Sequence, residues 1–151
     1  VFAFQFEDVS NAGNEQEIFV TVQMPHDWKE GSAVNPHLHW SPMDNASGVV
    51  RWGIEYTWVN YDPVTMQYYP PTTIAYANSA SLSNNQYGSV ITGFGSITPS
   101  TSQDKISSVL VIRIFRNSSN AADTYTGNAA GLSFDLHYET NTLGSRTEFS
   151  K

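Results

Sequence analysis

The chain contains no cysteine. That excludes a disulfide framework and thiolate metal sites, and leaves the compartment open. Charge is also scarce: charged residues make up 14% of the chain, with 7 Lys and Arg against 14 Asp and Glu, for a net charge of −7. No block of Lys or Arg exists, so the electrostatic footprint of a nucleic-acid binder is missing, and the acidity favours solubility. No apolar run approaches the length of a transmembrane helix, and no signal-peptide pattern opens the sequence. The expectation is a protein with neither a nucleic-acid partner nor a membrane insertion. The first residue is Val1 rather than Met. A single domain over 1–151, processed or cut as the C-terminal part of a longer chain, is therefore expected. Good helix formers such as Glu, Lys and Leu are thin, and no segment carries a 3.6-residue period. Single helical turns near 27–31 or 102–107 are the most that the pattern allows.

Aromatic residues, at 13% of the chain, are abundant, as are Asn, Ser and Thr. Such residues suit pleated, half-buried strands joined by polar loops. The dominant period is two, the strand period. Phe2, Phe4 and Phe6 alternate in a first strand, and Ile18, Val20 and Val22 in a second. A short third strand covers 36–41. The fourth puts Val50, Trp52, Ile54, Tyr56 and Trp58 on one face and Arg51, Gly53, Glu55 and Thr57 on the other. The fifth, around 68–76, contains Pro70 and Pro71 and must lie at an edge or be irregular. A sixth covers 89–95, and a seventh, 107–116, reads as buried on both faces. The eighth alternates Leu132, Phe134, Leu136 and Tyr138. Turn-forming clusters such as Asn11-Ala12-Gly13-Asn14 and Asn45-Ala46-Ser47-Gly48 separate them. The fold class expected is all-β: an eight-stranded antiparallel β-sandwich, jelly-roll-like. The polar tail 141–151 reads as a last strand, an arm docking on a neighbouring subunit, or a frayed end.

The sharpest chemical feature is Pro36-His37-Leu38-His39-Trp40. On a strand, His37 and His39 share one face, and imidazoles at i and i+2 can ligate one divalent metal ion. The eighth strand presents Asp135, His137 and Glu139 on the face opposite its apolar set. If the two strands are neighbours, His37, His39 and His137 converge as candidate ligands; otherwise the histidines serve as hydrogen-bonded groups on a polar strand face. Binding or interface candidates are Trp28, in the loop Pro25-His26-Asp27-Trp28-Lys29-Glu30-Gly31, together with Trp40, Glu55, Asp135 and Glu139. Beyond the possible divalent metal, no cofactor is expected. No catalytic residue is assigned: no carboxylate pair has recognisable spacing, and neither a Gly-x-Ser-x-Gly elbow nor a phosphate-cradling glycine loop is present.

Gly31 followed after five residues by His37-x-His39, with His137 followed by Asn141, partly resembles the cupin metal motifs. The glutamate those motifs require is replaced by Met43 and Asp44, and the proline and glycine expected before the later histidine are missing. This resemblance implies a cupin-like metalloenzyme using His37, His39 and His137. Exposed aromatics with Asn-rich loops would instead suit a free carbohydrate-binding module.

Most of the chain resembles another group. The runs Met24-Pro25-His26-Asp27-Trp28-Lys29-Glu30-Gly31, Pro36-His37-Leu38-His39-Trp40, Trp52-Gly53-Ile54-Glu55-Tyr56-Thr57-Trp58 and Phe134-Asp135-Leu136-His137-Tyr138 are similar to virion structural proteins of tailed phages, as is the Gly144-Ser145-Arg146 tail. These are jelly-roll domains for head decoration or for fibre and tail assembly. The resemblance implies a non-enzymatic protein of the virion, self-associating as a homotrimer and contacting other virion proteins or host surface glycans. In such a trimer a polar strand face can be buried against its copies, and the His37 and His39 pairs would meet near the threefold axis.

Overall fold

Alternation decides the elements. In the computed structural model, which describes residues 3–8, 15–60, 71–81, 83–100 and 104–147, every regular element is a strand. They are β1 (Phe4–Phe6), β2 (Glu17–Gln23), β3 (Val34–Pro42), β4 (Gly48–Val59), β5 (Thr73–Ser81), β6 (Val90–Gly93), β7 (Val109–Arg116) and β8 (Ala129–Tyr138). The expected helical turn near 27–31 is made of non-helical turns; of 102–107, residues 102 and 103 lie outside the described residues. Phe2, the 68–70 stretch and 148–151 also lie outside them. No described helix is long and apolar enough to cross a membrane.

Two four-stranded sheets form, in the orders β1-β8-β3-β6 and β2-β7-β4-β5. Every pairing is antiparallel. β1 pairs with β8, β2 with β7, β3 with β6 and β4 with β5. That is one long hairpin folded over on itself, the jelly-roll winding. Its closure sets β3 beside β8 in the centre of the first sheet, and β4 beside β7 in the centre of the second.

The expected boundaries hold for β2, β4 and β7 to within two residues. β3 is longer than expected, and β5 sits later, at Thr73–Ser81, where it forms the edge of its sheet. Ala75, Ala77 and Ser79 carry its inward face, and such small residues give a weak strand signal. Pro36 is tolerated in a central strand because its backbone faces the β6 side, where its carbonyl accepts from the Phe94 N–H at 3.1 Å. The N–H it lacks is therefore not one that β8 needs.

Between the sheets lies an aromatic core. Trp28, Trp40 and Trp52 are fully buried, and Trp58 nearly so. Phe6 meets Trp52 edge-on at 5.0 Å, Trp40 meets Trp52 at 5.8 Å, and Trp28 lies against Trp58 at 5.6 Å. Each such ring buries a large apolar area, and Ile54, Leu110, Ile112 and Ile114 fill the core around the rings.

On the outer side of the second sheet, Gly53 has a packing role. The ring of Phe115 lies on it so closely that a Cβ there would stand 2.3 Å from Phe115 Cζ. Phe115 is thereby buried on an outward face, flanked by the Arg113 guanidinium at 4.1 Å and the Tyr76 ring at 6.0 Å. Gly53→Ala should expel the ring and cost about 1–3 kcal/mol, as overpacking does. A midpoint of urea unfolding equal to that of the parent would count against this packing.

Candidate functional site

Inward burial of Leu38 and Trp40 obliges His37 and His39 to face outward from β3. On β8, Phe134 and Leu136 pack against the core, so Asp135 and His137 face outward too. Register does the rest. His37 stands opposite Asp135, Asn35 opposite His137, and His39 opposite Ser133. His137 is then the diagonal neighbour of His37, within reach for long side chains.

The Asp135 carboxylate divides its oxygens between the two β3 imidazoles. Oδ1 lies 3.6 Å from His37 Nδ1, and Oδ2 lies 3.5 Å from His39 Nε2. The His137 ring tilts over that of His37 with centroids 4.4 Å apart. Ligand atoms of His37, Asp135 and His137 all lie within 4.8 Å of one another. His37 Nδ1 and Asp135 Oδ1 are sealed from solvent, yet neither makes a hydrogen bond. On the other flank β6 places Gly93, which has no side chain, opposite His37.

The structure thus brings His37, His39 and His137 onto one face, as the spacing suggests, and adds Asp135. The close trio contains Asp135 in the place that the sequence reading gave to His39. The remaining candidates lie elsewhere. Trp28 and Trp40 are core residues with no exposed surface, which corrects their reading as binding or interface residues. Glu139 follows the end of β8 and pairs with Lys29 at 2.7 Å. Glu55 faces outward from the second sheet, 3.2 Å from Arg113 Nε and 3.0 Å from the Thr72 hydroxyl. His26 serves structure: its ring contacts the Ser107 hydroxyl and the Ser145 carbonyl oxygen, each at 3.1 Å. It helps fold residues 141–147 back onto the chain's own 25–28 loop, where the Asn141 N–H donates to Asp27 O.

Other surface features were not foreseen. A groove of about 570 Å³ crosses the outer face of the first sheet, lined by Gln5, Ser41, Met43, Tyr87, Ala130 and Leu132 among others. Leu132 reads as a core residue by parity, but a register shift between His39 and Trp40 turns it outward. On the opposite sheet Arg113 gathers Glu15, Glu17 and Glu55 within 2.8–3.2 Å. Burial pushes the Glu15 carboxyl above the usual carboxylate range; Arg113 pulls it down, while Glu17 and Glu55 add to the rise. Phe19 stands exposed beside this cluster, in a hollow that it forms with Thr57, Val111 and Arg113. Its place among Glu17, Thr21 and Gln23 on the outward face of β2 is the one signal that the sequence offered for it.

No protein-family profile, no curated protein and no solved structure matches the chain.

Proposed function

We propose that the domain is a non-enzymatic structural module of a tailed-phage virion, a jelly roll that self-associates as a trimer for capsid decoration or for fibre or tail assembly. The observation that carries this reading is exposed apolar surface on the outer faces of both sheets. Tyr87, Ile91 and Leu132 are 70%, 59% and 46% exposed over the first, and Phe19, Ile74 and Tyr76 are 68%, 48% and 44% exposed over the second. Single exposed apolar residues are ordinary, whereas grouped ones mark contact surfaces. On the first sheet Tyr87 and Leu132 line one groove; on the second, Ile74 and Tyr76 share the edge strand β5, and Phe19 lies on the other edge, beyond Glu55 and Arg113. A sandwich with exposed apolar residues on both outer faces suits a subunit packed between neighbours. The jelly-roll winding, a frequent architecture of capsid domains, supports the same reading by analogy.

The interior favours it over the two alternatives. The aromatic core fills the space between the sheets, and the histidines stand outside it, away from the enclosed pocket that a cupin-like enzyme would use. All four tryptophans are buried, so among the described residues a sugar-stacking platform would have to rest on Phe4, Phe19, Tyr76, Tyr87 or Tyr138.

Native mass spectrometry of the purified domain tests the assembly. Three chains per particle are expected, and Leu132→Asp or Phe19→Asp should release monomers. A monomer at tens of micromolar, the range of weak association, would overturn self-association, and any other stable count would overturn the trimer. Antibodies against the domain should label intact tailed particles, and unlabelled particles from cells that express it would overturn the virion assignment.

A further inference from the structure

We propose that His37, Asp135 and His137 bind one divalent transition-metal ion of the zinc(II) class, within a single chain, on the outer face of the first sheet. His39, beside the far oxygen of Asp135, is the positioning residue.

The first ground is the pair of sealed, unpartnered atoms. His37 Nδ1 and Asp135 Oδ1 face each other at 3.6 Å and are hidden from water. That is too long for a hydrogen bond, and burying polar atoms without partners is costly. A bound cation meets the needs of both at once. Metal–ligand bonds of about 2.0–2.2 Å in tetrahedral geometry put neighbouring ligand atoms roughly 3.3–3.6 Å apart. The observed separation sits at the upper end of that range. The His137 ligand atom, within 4.8 Å of the other two, reaches the same spacing by rotation of its exposed side chain.

The second ground is the donor set. Two imidazoles and one carboxylate suit zinc and its first-row neighbours; calcium and magnesium take shells of oxygen. The third is support. Both strands are central in their sheet, and β8 pairs with β3 from Val34 to Pro42, so the ligands rest on rigid backbone. His39 Nε2 stands 3.5 Å from Asp135 Oδ2, outside the shell, in the place from which outer partners orient ligands in metal sites. Three protein ligands leave a fourth position open for a water or an incoming donor, and Gly93, opposite His37 on β6, carries no side chain.

The rival account of this cluster is a set of imidazolium–carboxylate pairs with no metal, and the test separates the two. Protein stripped with EDTA would be titrated with zinc chloride by calorimetry, and the loaded form weighed by native mass spectrometry. Expected are one zinc per chain and a dissociation constant of roughly 1 μM or below. Cobalt(II) at the same site should give the strong visible absorption of a tetrahedral ion. His137→Ala and Asp135→Asn should each weaken zinc at least about 100-fold, and His39→Ala about tenfold, the lower end of outer-shell losses. His26→Ala should leave affinity unchanged. If Asp135→Asn does not fold, His137→Ala, on an exposed side chain, decides alone. No stoichiometric binding at about 100 μM zinc, affinity that His137→Ala leaves intact, or one ion shared by three chains would each overturn the site.

Discussion

Replacing Asp123 with alanine should cost the fold about 3–5 kcal/mol, the penalty for stranding a buried charge. Arg116, the last residue of β7, and Asp123 have side chains only 1% and 2% exposed. They meet in two parallel contacts, Nε to Oδ2 at 3.0 Å and Nη2 to Oδ1 at 2.7 Å, the strong bidentate form. The guanidinium also donates to the carbonyls of Gly127, at 2.7 Å, and Tyr125, while Asp123 accepts the Arg51 N–H at 2.9 Å. One ion pair thus gathers the 117–128 connection, the start of β4 and the entry to β8. Removing the carboxylate leaves a buried cation without the partner that neutralises it. Domains are stable by only about 5–15 kcal/mol, so urea unfolding should show a large fall in midpoint at nearly unchanged slope. The pair Arg116→Met with Asp123→Ala should lose less than the sum of its single changes, since neither charge is then stranded. A loss below about 1 kcal/mol for Asp123→Ala would mean that the pair is hydrated in solution.

Nothing in the sequence announces that pair. Arg116 ends a strand and Asp123 sits in a polar loop, a pattern that ordinarily means two solvated side chains. The legible parts were those with strong alternation: Ile18, Val20 and Val22 fixed β2, and Val50 to Trp58 fixed β4, because a one-residue slip would turn each apolar set outward. β5 was displaced because Ala75, Ala77 and Ser79 are small. The outward direction of His37 and His39 was readable from Leu38 and Trp40, but what stands opposite them depends on strand order, which local pattern does not encode. Asp135 enters the cluster through the register with β8, and Leu132 leaves the core through a bulge. Trp28 and Trp40 misled for another reason: a tryptophan beside charges or histidines reads as a binding or interface candidate, whereas here the rings are buried in the core.

Trp40→Ala should destabilise by about 3–5 kcal/mol, the range for emptying a buried aromatic site. Trp40 ties three parts of the molecule together. Its indole N–H donates to the Thr92 hydroxyl on β6 at 2.9 Å and lies 3.3 Å from the Ser79 hydroxyl on β5, in the opposite sheet. Its ring meets Trp52 on β4 and, at 6.5 Å, Tyr125 of the β7–β8 connection. Tyr125 is itself fixed: burial and then its hydrogen bond to Asp44 push its hydroxyl above the usual phenol range, so it stays a donor. Because the sheets are spaced by their neighbours, the hole cannot close by simple collapse, and most of the cavity penalty remains. Trp40→Phe keeps much of the volume but leaves the buried Thr92 oxygen without its donor, a loss of about 1–3 kcal/mol. The two faces of β3 can therefore be separated by experiment. Trp40→Phe should lower the unfolding midpoint and leave zinc affinity at His37, Asp135 and His137 as it was. His137→Ala should do the reverse, removing zinc affinity while changing stability by no more than about 0.5 kcal/mol, as exposed substitutions do. If Trp40→Phe weakened zinc as much as His137→Ala does, the outer cluster would be set by core packing across the strand rather than by its own side chains.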